Sequence, residues 1–170
     1  SESRGLGDVY KRQDQDGRLI ALIIDQYLRC GMSYDLSKAI AIRAMTHAEN
    51  AYAIPHTRIT AHLCKTHTPS NTAFRGFGGP QGMIGIEQIM DKIATHLNMD
   101  PIALRQLNYY PDYEAGTPCC TPYGQIVKDG LLGKITKQLL ENADYQNRRQ
   151  QIDTYNPVSY THLRAHETQT

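Results

Sequence analysis

Apolar and polar residues follow one another in the middle of the chain with periods that predict strands separated by helices. The turn signal Asp16-Gly17 precedes an apolar, β-branched run, which predicts a strand over residues 18–31. Residues 58–66 alternate apolar and polar side chains and predict a second, half-buried strand. Between these strands, apolar residues recur at helical spacing over residues 36–52 and predict a helix that the Ile54-Pro55 pair ends.

Three more helices are predicted in the second half of the chain. Pro80 is well placed as the first residue of a helix whose apolar face consists of Met83, Ile86, Met90, Ile93 and Leu97. The pair Asp100-Pro101 caps a short helix, and residues 111–124 predict a long loop because they are rich in proline and glycine. A final helix is predicted over residues 131–143. Strands separated by helices indicate a mixed α/β (α+β) fold.

The two ends of the chain lack both periods and resemble peptides translated from sequencing-adapter or assembly sequence. We therefore expect residues 1–12 and 158–170 to be non-native and to add nothing to a core. The remaining residues, 13–157, do not begin with Met. We expect them to be an internal part of one domain of a larger protein.

The charge and the cysteine content argue against several classes of function. The chain has 18 Lys and Arg residues against 17 Asp and Glu residues, so its net charge of +1 gives no reason to expect nucleic acid or an anionic membrane as a partner. Its apolar runs are far shorter than the roughly 20 residues that cross a bilayer. The 4 cysteines show no C-x-x-C spacing, so neither a zinc ribbon nor a disulfide framework is indicated. These features predict a soluble, cytoplasmic protein.

The segment from Ser70 to Gly82 carries the clearest indication of chemistry. It places several glycines, two phenylalanines and one arginine between a predicted strand and a predicted helix. Glycines let a backbone approach a ligand closely, and free N–H groups at a helix start favour oxygen-rich groups. The dinucleotide motif G-x-G-x-x-G does not match, because Gln81 stands where its third glycine would be. From the pattern alone, a cofactor loop and a tight turn with core phenylalanines remain open alternatives.

The segment CKTHTPSNTAFRGFGGPQGM closely resembles the signature of the molybdenum-cofactor-binding subunit of xanthine dehydrogenases. The resemblance extends to both sides of this segment. The further positions that agree are Gly17, Arg18, Asp35, Leu36, Ser37, Arg43, Ala44, Met45, His47, Asn50, Tyr52, Pro55, residues 121–125, residues 143–145, Arg148 and Arg149. The resemblance therefore covers nearly all of residues 13–157, with many separated positions agreeing in order.

This resemblance implies a fragment of the large subunit of a bacterial enzyme that hydroxylates hypoxanthine and xanthine to urate in purine catabolism. The implied cofactor is molybdenum-molybdopterin, which supplies the redox chemistry. FAD and 2Fe-2S clusters are implied on a partner subunit or domain, so a hetero-oligomer with an iron–sulfur/FAD subunit is expected. The general-base glutamate and the other pterin-binding loops belong to family segments outside this chain. The chain alone is therefore expected to be inactive.

The same resemblance implies roles for residues of the loop and of the helix before it. Arg43 would contact the purine oxygen and stabilise the negative charge that grows there, which makes it a catalytic and substrate-binding residue. Phe77 would stack on the purine, with Phe74 as a second aromatic residue of the pocket. Arg75 would present its backbone to the molybdenum. The implied cofactor-binding residues are Arg75, Gly76, Phe77, Gly78, Gly79 and Gln81.

Two rival functions remain at this point. A molybdenum hydroxylase that acts on an aldehyde or another N-heterocycle would share the loop, although aldehyde-oxidising relatives generally lack an arginine at the place of Arg43. A non-catalytic interaction module would use the loop only as a turn. Glu87 and Asp91, four residues apart on the polar side of a predicted helix, are expected to be solvated and to have no chemical role.

Overall fold

The computed structural model describes residues 9–111 and 119–156. Its elements are β1 (Val9–Gln13), β2 (Leu19–Gly31), α1 (Ser37–Met45), β3 (His56–Lys65), α2 (Gly79–Leu97), α3 (Pro101–Asn108), β4 (Cys119–Cys120), β5 (Ile126–Val127), α4 (Leu132–Asn142) and α5 (Tyr145–Tyr155). The first three strands form one sheet, in which the central β2 runs antiparallel to β1 and parallel to β3. The predicted mixture of strands and helices is confirmed.

The sheet contains both predicted strands and one strand that the pattern does not predict. β2 and β3 pair from Ala21 opposite His56 to Gly31 opposite Lys65. β1 lies partly within the first twelve residues and pairs with β2. Residues 9–12 form part of an edge strand, which backbone hydrogen bonds to its neighbour can specify. That residues 1–12 are non-native and add nothing to a core stays a prediction. Residues 1–8 and 158–170 lie outside the described residues.

The helix predicted over residues 36–52 is shorter in the structure, because α1 ends at Met45. The next residues form single turns, and Asn50 adopts a left-handed φ of 49°. Beyond it the backbone pairs with the last residue of α3 and with the residues that follow α3. The Ala53 N–H donates to the Asn108 carbonyl at 2.9 Å, and the Tyr110 N–H donates to the Ala51 carbonyl at 3.1 Å. Tertiary hydrogen bonds therefore replace the last turns of the predicted helix.

The hydrophobic core lies between β2 and α2. Its buried side chains come from β2 (Leu19, Leu22, Ile24), from the segment after α1 (Ala48, Tyr52, Ile54), from α2 (Ile86, Met90, Ile93, Ala94) and from α3 (Leu104). The central part of the apolar face predicted for α2 is thus confirmed as core. Removing this much apolar surface from water is the main favourable contribution to folding.

Polar side chains fix α3 at both of its ends. The predicted cap is confirmed, because the Asp100 carboxylate accepts from the N–H groups of Ile102 and Ala103 at 2.8 and 3.0 Å. At the other end Asn108 is buried, and its oxygen accepts from the Leu19 N–H at 2.7 Å. Its amide nitrogen donates to the carbonyl oxygens of Gly17 and Leu104. These bonds hold α3 against the turn that precedes β2.

The residues after α3 differ most from the prediction. Within the predicted loop and just after it, β4 and β5 pair as a short antiparallel hairpin. The chain then divides into two units, one up to Asp129 and one from Gly130. In the second unit α4 confirms the predicted final helix, while α5 is not predicted. Neither helix has a buried residue. Within the described ranges, the helices lack the combination of length and apolar character needed to cross a membrane.

Candidate functional site

The glycine-rich loop starts beside the end of β2. The Asn71 N–H donates to the Cys30 carbonyl at 3.0 Å, and the Asn71 side-chain amide donates to the Arg29 carbonyl. Gly31 has a φ of 80°, and a Cβ at this position would lie 2.3 Å from the Pro69 carbonyl oxygen. A glycine is therefore required for the two segments to come this close. The first part of the loop is held against the central strand.

A left-handed turn then leads into α2. Gly76, Phe77 and Gly78 have φ values of 92°, 50° and 99°. The Phe77 N–H donates to the Phe74 carbonyl at 2.9 Å, and the Gly79 N–H donates to the Gly76 carbonyl at 3.0 Å. A left-handed conformation costs a phenylalanine roughly 1–2 kcal/mol, whereas the flanking glycines adopt it readily. The turn thereby determines where the Phe77 side chain leaves the backbone.

Two glycines bring the start of α2 into contact with the backbone of α1. A Cβ at Gly78 would lie 2.3 Å from the Ile40 carbonyl oxygen, and a Cβ at Gly82 would lie 2.2 Å from the Ala44 carbonyl oxygen. The spacing of four residues places both glycines on one face of α2. Pro80 lies in the first turn between them, as predicted. A larger residue at either glycine would force the two segments apart.

This contact brings Arg43 to the glycine loop. Arg43 lies in the last turn of α1, and a Cβ built on Gly79 would lie 3.8 Å from its Nε. Its side chain is exposed, and its guanidinium has no hydrogen-bond or ion-pair partner in the part of the chain that the structure describes. The donors of Arg43 are thus available to a ligand. The approach of Arg43 to the loop agrees with the arrangement that the resemblance implies, while a shared contact of Arg43 and Phe77 with one substrate stays a prediction.

The other predicted site residues differ in burial. Phe74 is 72% exposed and Arg75 is also exposed, so the structure does not place Phe74 in a pocket within the described residues. Phe77 is half-buried. The side-chain oxygen of Gln81 is buried and has no hydrogen-bond partner among the described residues. Such an acceptor needs a donor, and a pterin ring carries N–H donors. Gln81 and the adjacent glycine backbone therefore fit the predicted pterin cofactor.

Glu87 is the centre of a polar network that the sequence pattern does not reveal. One carboxylate oxygen accepts from the Asn50 amide at 2.8 Å and from the Tyr52 hydroxyl at 2.6 Å. The other oxygen accepts from Nε of Arg105 at 2.9 Å, and Arg105 also donates to Asp91 at 2.8 Å. The prediction that these carboxylates are merely solvated is therefore wrong for Glu87, whereas Asp91 is exposed as predicted. Their partners come from other elements, which a helical period cannot indicate.

The charges of this network are stabilised by its own contacts. Burial and the hydrogen bond to Glu87 raise the pKa of Tyr52, so the phenol remains a donor. Burial opposes the charge on Arg105, but its hydrogen bonds with Asp91 and Glu87 outweigh this effect and raise its pKa. The network joins the segment after α1 to α2 and α3. The network therefore helps to hold α2 beside the segment after α1, in addition to the glycine contacts between α1 and α2 that bring Arg43 to the loop.

His47 is a further residue beside the loop. A Cβ at Gly79 would lie 3.2 Å from Cδ2 of His47, so His47 and Arg43 approach the same glycine. The available sequence signal is its position four residues after Arg43, which places the two residues on the same side of a helical turn. For Glu87 no comparable local signal exists, because its partners Asn50, Tyr52 and Arg105 lie many residues away in the chain.

A sequence profile described as the molybdopterin cofactor-binding domain matches residues 11–109. A xanthine dehydrogenase of Dictyostelium discoideum is 39% identical over 142 residues, which are 84% of this chain. A nicotinate hydroxylase of Emericella nidulans is 38% identical over 144 residues, which are also 84% of this chain. The chain spans only 10% of the length of either relative.

Solved structures share the fold described above. An aldehyde oxidoreductase from Desulfovibrio gigas matches with a TM-score of 0.75 and 28% identity, over 86% of this chain and 15% of that chain. A quinoline 2-oxidoreductase from Pseudomonas putida 86 matches with a TM-score of 0.73 and 21% identity, over 89% of this chain and 19% of that chain. The second match concerns the fold alone. Together these similarities confirm the predicted fold class.

Proposed function

Because this chain belongs to the molybdopterin cofactor-binding domain family, we propose that it forms part of a molybdenum hydroxylase that oxidises hypoxanthine and xanthine. The observation that carries this proposal is the free Arg43 guanidinium beside the glycine loop. The similarity to xanthine dehydrogenases supports it further. The bound molybdenum-molybdopterin would supply the oxidation and hydroxylation chemistry.

In this function Arg43 binds the substrate and stabilises charge. A guanidinium offers fixed, permanently charged donors, which suit a purine oxygen on which negative charge develops. Its lack of a carboxylate partner among the described residues matters, because a salt-bridged arginine would have to break that pair before binding the substrate. An exposed arginine without a role in binding could lie at the end of a helix beside any surface residue. Here it lies beside Gly79 of the loop.

The loop itself holds the cofactor and one face of the substrate. Gly76, Gly78 and Gly79 would let the backbone approach the pterin, and the buried oxygen of Gln81 would accept one of its N–H groups. Arg75 would present its backbone toward the metal. Phe77 stacks on the flat purine and sets its angle to the reacting centre. Phe74 forms a second wall once other parts of the enzyme cover its exposed ring.

The proposal extends to the rest of the enzyme. A chain that spans a tenth of its relatives' length needs further segments to supply a general base and the remaining cofactor contacts. FAD and 2Fe-2S clusters on a partner domain or subunit would accept the electrons, in a cytoplasmic hetero-oligomer. The product of the full-length gene should therefore copurify with molybdenum and a pterin. A folded product that contains neither molybdenum nor a pterin would favour a non-catalytic interaction module.

The test of the substrate is Arg43→Met in the complete enzyme, assayed with xanthine and with a simple aldehyde. Xanthine oxidation should slow on the order of a hundredfold, because the loss of one such contact to a developing oxyanion costs about 2.7–4 kcal/mol. Aldehyde oxidation should change little, because an aldehyde lacks the purine oxygen that Arg43 binds.

Lys38→Met is the matched control. Lys38 is an exposed cation of the same helix and lies about 140° around the helix from Arg43. It should leave both reactions unchanged. An equal loss with both substrates in Arg43→Met would contradict the proposed role. The rival function is that of a molybdenum hydroxylase that acts on another substrate. The similarity to a nicotinate hydroxylase and to an aldehyde oxidoreductase supports this alternative. Poor oxidation of xanthine by the wild-type enzyme would favour the rival function.

A further inference from the structure

Thr46 joins Arg43 to His47 at the end of α1. Its hydroxyl donates to the Arg43 carbonyl at 3.1 Å. The same hydroxyl oxygen lies 3.3 Å from Nδ1 of the neighbouring His47 ring. A threonine hydroxyl has one proton, and a carbonyl oxygen can only accept. For both hydrogen bonds to form together, the hydroxyl oxygen accepts from His47, and this arrangement requires a proton on Nδ1 of the ring.

The opposite edge of the His47 ring points at the glycine loop. A Cβ at Gly79 would lie 3.2 Å from Cδ2 and 3.7 Å from Nε2 of His47. The same Cβ would lie 3.8 Å from Nε of Arg43. The two side chains thus share the space that Gly79 leaves empty. In the neutral ring, a proton on Nδ1 leaves the lone pair of Nε2 directed at this space.

We propose that His47 is a positioning residue for Arg43, oriented by the Thr46 hydroxyl as the Nδ1–H tautomer and packed edge-on against Gly79. This inference rests on the proposed function insofar as it concerns the substrate. The half-buried ring restricts the volume open to the Arg43 side chain, and a restricted arginine loses less entropy when it binds. Neither the glycine loop nor Arg43 alone would supply this restriction.

The first measurement needs no substrate. In the full 170-residue chain labelled with ¹⁵N-histidine, the His47 ring resonances, assigned by their absence from His47→Gln, should report a proton on Nδ1 at a pH where the ring is neutral. Thr46→Val removes the hydroxyl while keeping the shape of the side chain, and should release this preference. Thr95→Val is the matched control, because Thr95 also donates to a helix carbonyl, that of Asp91, at 2.9 Å.

The second measurement uses the complete enzyme. Thr46→Val and His47→Ala should each raise KM for xanthine about tenfold, since small misplacements of a binding group have effects of this size or larger. The kcat with an aldehyde should stay unchanged, and Thr46→Ser, which keeps the hydroxyl, should restore the wild-type KM.

The outcomes separate this inference from the proposed function. A His47 proton on Nε2, or an unchanged KM for xanthine in both variants, would overturn the positioning role while leaving the effect of Arg43→Met intact. If instead Arg43→Met fails to distinguish xanthine from aldehyde, the proposed substrate is wrong. The tautomer measured in the 170-residue chain would then still decide the structural part of the inference.

Discussion

Replacing Gly82 by alanine should destabilise the protein, although alanine is the better helix former. A Cβ at Gly82 would lie 2.2 Å from the Ala44 carbonyl oxygen, whereas ordinary C···O contacts begin at about 3.3 Å. The α1 and α2 backbones would therefore have to separate by about 1 Å. Overpacking of this kind typically costs about 1–3 kcal/mol, and the obstacle here is backbone, which cannot rotate away as a flexible side chain can.

Gly85→Ala is the matched control on the same helix. A Cβ at Gly85 meets nothing within 4 Å. This substitution should therefore stabilise the protein by about 0.5–1 kcal/mol, because it removes only the entropic cost of a helical glycine. The two glycine-to-alanine changes, three residues apart on one helix, should thus have opposite signs.

Thermal unfolding of the 170-residue chain, followed by far-ultraviolet circular dichroism, measures both effects. For a domain of about 100 residues, each kcal/mol shifts Tm by about 4 °C or more. Gly82→Ala should lower Tm and Gly85→Ala should raise it. A Gly82→Ala variant that unfolds at the wild-type temperature or above, while Gly85→Ala behaves as expected, would refute the close approach of α1 and α2.

Two further predictions concern carboxylates, those of the Glu87 network and that of the buried Glu49. Glu87→Gln should lower the free energy of unfolding by about 1.5–3 kcal/mol, the usual contribution of a hydrogen bond to a charged group. Asp91→Asn, at the exposed end of the same network, should lower it by less than about 1 kcal/mol. Equal effects of the two substitutions in urea unfolding would contradict the central role of Glu87. Burial raises the pKa of Glu49, so the folded state retains this proton to a higher pH than the unfolded chain, and the free energy of unfolding falls as pH rises between the two pKa values. Glu49→Gln should therefore flatten this decline and stabilise the protein at neutral pH, and an unchanged pH profile would contradict the assignment.

Local sequence was sufficient for the features that depend on neighbouring residues. β3 and α2 follow from hydrophobic periods, because each period reports which face of a strand or helix will be buried, and β2 follows from its apolar, β-branched run. The Asp100 cap and the start of α2 near Pro80 follow from hydrogen bonds and φ restrictions within a few residues. The glycine-rich segment was recognisable for the same reason, since its resemblance lies in a continuous run of residues.

The tertiary structure decided the features whose partners are distant in the chain. β1 has no hydrophobic period of its own and exists because β2 offers it a backbone edge. The helix after β2 stops at Met45 because its continuation pairs with the end of α3. Glu87 changes from an expected surface carboxylate to the centre of a network because three donors from other segments meet it.

The site itself shows the same division. Arg43 and the glycine loop could be named from the sequence, but their contact depends on Gly78 and Gly82 allowing α1 and α2 to touch. The position of His47 against Gly79 depends on that same contact. A hydrophobic period determines which residues face inward but not which inward faces meet. That choice is made when distant segments satisfy one another's backbone hydrogen bonds and fill one another's space.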